Sequence, residues 1–233
     1  MIRSLRQSYG LASLLTLCVI VASVILTFQL SVEAAEEETV SGDVLVSSWV
    51  QRASAPGVEY LVEFLNWIGR PMPLAMLTGI VAVGLLSRRR YAEAILILPA
   101  TGTHAVNALL KNVIQSPRPT NEHVTIHDHA AGFGFPSGHT MAVVVFCGVV
   151  AYLAWRLIER RRYQYAVHGI VALAVVGIGF SRIYSGAHWP SDVLGGYLWG
   201  AFYTGAIVLL FHRVQPRSSA NRLSSAGGLS TAG

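Results

Sequence analysis

Long apolar stretches, rather than short amphipathic periods, set the pattern of this 233-residue chain, falling near 11–31, 71–87, 92–110, 137–158, 164–181 and 190–211. A bilayer span needs about 20 mostly apolar residues, so the pattern predicts six transmembrane helices. Two stretches fit least well: 71–87 is short, and 92–110 is interrupted by Pro99, Gly102 and His104. Between the first two stretches lies a polar segment, 32–70, that opens on Glu33, Glu36, Glu37 and Glu38. Within it Val58, Leu61, Val62, Leu65 and Ile68 recur at helical spacing while Glu59, Glu63 and Asn66 fall on other faces. The segment as a whole reads as a solvated linker, and that spacing suits an amphipathic helix lying on the membrane surface, for which packing against other helices is preferred over bordering a lipid entry route. The end of the chain is rich in Ser, Ala and Gly without an apolar period, as in a disordered tail.

Composition agrees with the bilayer reading. The chain is 53% hydrophobic and 12% charged, against about 25% charged in a soluble domain. Arginine placement orients it, because Lys and Arg concentrate in short cytoplasmic segments. With both termini cytoplasmic, Arg3, Arg6, Arg88–Arg90, Arg156, Arg160–Arg162, Arg213, Arg217 and Arg222 fall inside, twelve of the 17 basic residues. Arg52, Arg70, Lys111, Arg118 and Arg182 are left outside. The net charge of +5 follows from this inside excess and does not signal nucleic-acid binding.

The first stretch has two readings. Arg3, Arg6, an apolar run and the small-residue stretch at 32–35 resemble a cleavable signal peptide. The run of about 20 residues exceeds the 7–15 of a signal core, which favours a retained anchor. The organisation is therefore an N-terminal transmembrane helix (1–31), an extracytoplasmic acidic segment (32–70), a membrane core (71–213) and a cytoplasmic tail (214–233). Cys18 and Cys147 sit inside apolar stretches and read as small packing residues. Gly196-x₃-Gly200 is a helix-packing signature.

Most of the polar chemistry beside these stretches sits in three blocks: Lys111, Arg118 and Pro119 spaced K-x₆-R-P; Pro136-Ser137-Gly138-His139; and Ser181, Arg182, His188 and Asp192 spaced S-R-x₅-H-x₃-D. On the six-span topology all three reach the same membrane face, although the spans were chosen without them. Ionisable residues at a membrane face are functional candidates by default. Lys111, the only lysine, and Arg118 and Arg182 are cations that can neutralise a phosphate. Ser137 and Gly138 open a helix, where free N–H groups favour an anion, and Gly138 lets backbone approach closely. Pro190 suits a first helical turn, which sets His188 at or just before a cap and Asp192 within reach of it. A carboxylate there would fix the imidazole tautomer. These residue types suit phosphoester cleavage, with His188 as nucleophile, Asp192 orienting it and His139 as general acid. One imidazole must start neutral and the other charged, which predicts a bell-shaped pH profile.

In order and internal spacing the three blocks resemble the tripartite signature of the type 2 phosphatidic acid phosphatase superfamily, over roughly 70–213. The resemblance implies an all-α, six-helix membrane phosphatase with its catalytic core at the outer face, acting through a phosphohistidine without metal or other cofactor. By position, Lys111, Arg118, Ser137, Gly138 and Arg182 would bind phosphate, His139 would be the acid, and His188 with Asp192 the nucleophile pair. A site at the outer face of the cell membrane suits a lipid phosphate drawn from the bilayer: phosphatidate, phosphatidylglycerol phosphate, or polyprenyl phosphate or diphosphate. A phosphotransferase using the same phosphohistidine on an alcohol acceptor is the alternative. Haloperoxidases that bind vanadate share the signature but resemble soluble helical proteins. A non-catalytic scaffold would have no use for Lys111, His139 or His188.

Other polar residues carry weaker signals. His123, His127, His129 and Asp128 cluster without fixed metal-ligand spacing and read as a solvated loop. His104 and Asn107 share the helical face of Lys111 and suit either a supporting polar role or helix packing. Phe133, Phe135, Tyr184 and Trp189 suit either an entrance lining or interfacial anchoring.

Overall fold

The computed structural model describes residues 22–36, 42–53 and 55–214, and among these residues it is all helix, turn and coil, with no strand. The helices are α1 (Ala22–Ala35), α2 (Asp43–Gln51), α3 (Val58–Ile68), α4 (Pro71–Ser87), α5 (Tyr91–Ile97), α6 (Thr103–Ile114), α7 (Gly138–Leu157), α8 (Arg161–Tyr184) and α9 (Pro190–Val214).

Local chemistry explains the breaks. Pro71 opens α4, where a missing N–H costs nothing. Pro99 and Gly102 fall in a 3₁₀ turn, Leu98–Gly102, that joins α5 to α6, so the interrupted 92–110 stretch is one continuous but tightened helical path. α6 stops at Gln115, which takes a left-handed conformation with φ 58°, and the Ser116-Pro117-Arg118-Pro119 run that follows is non-helical.

Among the described residues, four helical segments are long and apolar enough to cross a membrane: Tyr91–Ile114, Gly138–Leu157, Arg161–Tyr184 and Pro190–Val214. They coincide with four of the six expected spans. The 71–87 stretch forms α4, of 17 residues. It is bent by 68° from α3, and counting this pair as one span gives a fifth. The bend falls at Gly69 and Arg70, just before two prolines that bar a continuous helix. The expected first span, 11–31, lies mostly outside the described residues, as does all but the first residue of the expected tail.

α7 is the central helix. Its apolar window is 50% buried, against 22–39% in the other three, and it packs chiefly on α8 and α9. Ala82, Leu96, Ile97, Ala100, Val145, Val149, Leu153 and Ile207 form a core that joins α4, α5, α7 and α9. The expected glycine signature lies in the α7–α9 contact: a Cβ at Gly200 would fall 2.8 Å from Val144 Cβ, and one at Gly196 would fall 2.9 Å from Ser137 O. Around this core the outer faces are apolar, with Ile80, Val113, Leu173 and Leu210 between 64% and 81% exposed. Such a girdle is costly in water and natural in lipid.

The antiparallel helices gather the C-terminal ends of α6 and α8 with the N-terminal ends of α7 and α9. The basic residues Arg90, Arg156, Arg161 and Arg213 lie at the opposite ends of α5, α7, α8 and α9. α3 does not stand apart: it packs along α8, burying Val62 and Asn66.

Candidate active site

The third block is built from the end of α8, a short turn and the start of α9. Pro190 is the first residue of α9, which leaves Trp189 at the cap and His188 just before it. Asp192, in the first turn, accepts from the Trp189 N–H at 3.1 Å. The same carboxylate oxygen lies 3.1 Å from His188 Nδ1. A carboxylate only accepts, so Nδ1 carries the proton and Nε2 keeps its lone pair. Arg118 Nη1 faces that lone pair at 3.3 Å. Burial, then the charges of Arg182, Arg118 and Lys111, hold the His188 imidazole well below its ordinary value of 6.5. It is therefore neutral at physiological pH.

Gly186 makes the turn feasible. Its φ is +66°, and a Cβ would fall 2.3 Å from Thr125 O, so a side chain would be excluded by conformation and by space together. The 115–137 loop closes over this turn: His127 and Asp128 donate their N–H groups to Ser185 O at 2.9 and 3.1 Å.

The first block reaches the same place from α6. Lys111 Nζ, in its last turn, donates to Phe133 O and, at 3.1 Å, to Gly134 O. Arg118 donates to Gly132 O, Ala131 O and, at 2.7 Å, Ala187 O. These carbonyls satisfy both cations while pinning the loop, and Gly134 packs so close that a Cβ would fall 2.9 Å from Asp192 Oδ2.

The second block opens α7. Ser137 caps the helix without using its side chain on the backbone; its Oγ accepts from Thr140 Oγ1 at 3.0 Å, which leaves the serine proton available. Its backbone N–H donates to Asp192 O at 2.9 Å, tying α7 to α9. Asn107 on α6 donates to Pro136 O at 2.9 Å. A Cβ at Gly138 would fall 2.7 Å from Asn107 Oδ1. Of the two roles open to Asn107, positioning of this helix start is the one its contacts match. His139 follows in the first turn and forms no hydrogen bond to a described residue. It meets the edge of His104 at a ring separation of 6.5 Å.

Arg182, at the end of α8, is 1% exposed. Its Nη1 donates to Asp128 Oδ2 at 2.9 Å, while its buried Nε has no partner among the described residues. An unfilled guanidinium donor beside two other cations, a free serine hydroxyl and a helix N-terminus fits a phosphate-sized anion.

All eight residues expected to carry chemistry thus lie in one layer. Arg118, His188, Asp192 and Ser137 are linked by direct hydrogen bonds, Lys111 joins them through Gly134, and Arg182 through its backbone, which accepts from His188 N at 3.3 Å. His139 approaches them from α7 without a bond to His188.

A family model described as the PAP2 superfamily matches residues 90–216. The chain belongs to that superfamily. All three blocks lie within the matched region, and this PAP2 chain is similar to phosphatidylglycerophosphatase B of Bacillus subtilis, 29% identical over 165 residues, covering 69% of this chain and 78% of that protein. It is 32% identical to undecaprenyl-diphosphatase BcrC of B. subtilis over 122 residues, 50% of this chain and 57% of that one, so the match spans little more than half of that relative. Among solved structures, a transmembrane PAP2 type phosphatidylglycerolphosphate phosphatase from B. subtilis superposes with a TM-score of 0.71 at 25% identity, covering 84% of this chain and 98% of that chain.

One residue that sequence patterns passed over and one whose partner they did not show support the PAP2 site. Asp43, at the start of α2, accepts from the Ser191 N–H at 2.9 Å and from Ser191 Oγ at 2.6 Å, placing a carboxylate on the N-terminus of α9 where the helix dipole favours it. Asp128, in the loop read as solvated, is partly exposed and also holds Arg182. His127 stacks on Tyr184, and no group of three metal-binding side chains occurs among the described residues.

Proposed function

We propose that the chain is a six-span membrane lipid phosphate phosphatase that cleaves a phosphomonoester or diphosphate through a phosphohistidine, with its site at the outer face of the cell membrane and both termini cytoplasmic. One observation carries this reading: His188 presents an Nε2 lone pair, its tautomer set by Asp192, to the guanidinium of Arg118 inside a ring of cations. A phosphoryl group drawn between the two would meet the lone pair in line.

In that reaction Nε2 attacks phosphorus and the bond to the leaving oxygen breaks, with His139 delivering the proton that oxygen needs. Lys111, Arg118 and Arg182 neutralise the nonbridging oxygens, and Ser137 with the free N–H groups of α7, beginning at Gly138, adds hydrogen bonds. Water then attacks the phosphohistidine, His139 takes its proton, and inorganic phosphate leaves. Charge balance comes entirely from side chains, so the reading includes no metal and no other cofactor. The apolar girdle and the names of the relatives support a lipid substrate. Phosphatidylglycerol phosphate and polyprenyl diphosphate are the leading classes, and transfer to an alcohol in place of water is the alternative outcome of the same intermediate.

Purified protein in detergent, with chelator present, is expected to release inorganic phosphate from at least one of phosphatidate, phosphatidylglycerol phosphate and polyprenyl diphosphate. His188→Ala should abolish release. Unchanged turnover in that variant, or release that requires added metal, would overturn the reading.

A further inference from the structure

Beside the phosphate cradle lies a cavity of about 370 Å³, between α3, the 115–137 loop and the end of α8, whose polar lining includes Glu59, Glu63, Asn66, Arg70, His127 and Asp128. Its size falls within the range of small-molecule sites. One lining residue, Asp128, and one chain neighbour of a lining residue, Gly69, touch the groups proposed to do the chemistry. Asp128 accepts from Arg182 at 2.9 Å. Gly69, next to Arg70, packs on His139 so tightly that a Cβ would fall 2.8 Å from His139 Cδ2. The proposed task of His139 is to protonate the departing oxygen, so Gly69 and Arg70 join the cavity wall to the residue on the leaving-group side of the phosphate.

Its chemistry narrows what would enter. Asn66 is 8% exposed and its Oδ1 has no hydrogen-bond partner among the described residues. An unmet buried acceptor of this kind costs free energy until something donates to it. Of the charged lining residues, Glu59, Glu63 and Asp128 are acidic and Arg70 is basic. With Asp128 set against Arg182, two carboxylates face one arginine. Carboxylates accept from hydroxyl groups and repel a second phosphate.

Taking the phosphatase reading as its basis, we propose that this cavity is a headgroup subsite for a hydroxyl-bearing unit, a glycerol or a sugar, that joins the scissile phosphate to the lipid. Glu59 and Glu63 accept from its hydroxyls, and the subsite discriminates against substrates whose leaving group is itself a phosphate.

The test compares kcat/KM for four substrates in detergent: a glycerol-headed lipid phosphate, a sugar-headed lipid phosphate, phosphatidate, whose leaving group has no free hydroxyl, and a polyprenyl diphosphate. Wild type is set against the full-length double variant Glu59→Gln/Glu63→Gln, a near-isosteric change. Loss of a charged acceptor should lower the glycerol- or sugar-headed rate by about tenfold, leave phosphatidate unchanged and raise the diphosphate. The larger of the two falls identifies the headgroup, and retained phosphatidate turnover shows that the variant is folded. A uniform change across all four substrates, or none, overturns the subsite and leaves the phosphatase reading standing. Failure of wild type on every lipid phosphate overturns both.

Discussion

Replacing Asp192 with Asn isolates the contribution of one negative charge. The carboxylate is 1% exposed, and one of its oxygens accepts both from His188 Nδ1 and from Trp189 N, each at 3.1 Å. An amide oxygen can occupy that position and accept both bonds, so the turn into α9 should survive. What disappears is the charge that offsets the cation formed when Nε2 bonds to phosphorus. A hydrogen bond to a charged group contributes about 1.5–3 kcal/mol, and about 1.4 kcal/mol corresponds to tenfold in rate. Asp192→Asn should therefore lower kcat/KM by about 10- to 150-fold, with the loss in kcat rather than KM. If the amide turns to present its NH₂ to Nδ1, the proton moves to Nε2 and the loss approaches the roughly 10⁴-fold seen when a triad carboxylate is replaced in this way. Steady-state phosphate release, with thermal unfolding as a check on the fold, measures this. In His188→Ala the carboxylate has nothing left to orient, so His188→Ala/Asp192→Asn should be no slower than His188→Ala alone. Activity of Asp192→Asn within twofold of wild type, or additive losses in the double variant, would refute the orientation argument.

Arg182→Ala should reduce kcat/KM by the equivalent of about 2.7–4 kcal/mol, the range for losing an anion-stabilising donor, and phosphate-release kinetics would show it. Gly200→Leu should lower the melting temperature in detergent, because its Cβ would fall 2.8 Å from Val144 Cβ and overpacking costs about 1–3 kcal/mol. His188 also makes stability depend on pH. The unfolded imidazole gains a proton below its ordinary value of 6.5 while the folded one stays neutral well below it, so the unfolded state binds more protons and stability falls as pH drops from 6.5 toward the folded value. That acid-side loss should be smaller in His188→Asn, measured by denaturant titration across the same pH range.

Residues close in sequence or repeated with a period were the ones legible beforehand. The irregularity at Pro99 and Gly102, which is a 3₁₀ turn and not a break, the helix start at Pro190, the His188–Asp192 reach and the Gly196–Gly200 packing face all follow from local geometry. The meeting of the three blocks followed from counting spans, since odd and even spans end on opposite faces. Contacts without a period were not legible. Asp43 meets Ser191 across 148 residues, and Asp128 reaches Arg182 from a loop whose histidines draw more notice than its carboxylate. The α3–α4 junction was legible in part: the amphipathic period ends at Ile68 and Pro71 and Pro73 bar a continuous helix, while the 68° angle between the two helices has no signal in the sequence. The headgroup cavity belongs to the same class, because Glu59, Glu63 and Asn66 read from sequence only as the polar face of an amphipathic helix.

The most direct test of the central claim is rapid quenching of wild-type enzyme during turnover of a cleaved lipid phosphate, followed by mass spectrometry of its peptides. An acid-labile phosphoryl group is expected on His188, forming before phosphate is released and absent from His188→Ala. A phosphoryl group on another residue, or phosphate release from His188→Ala at the wild-type rate, would contradict it.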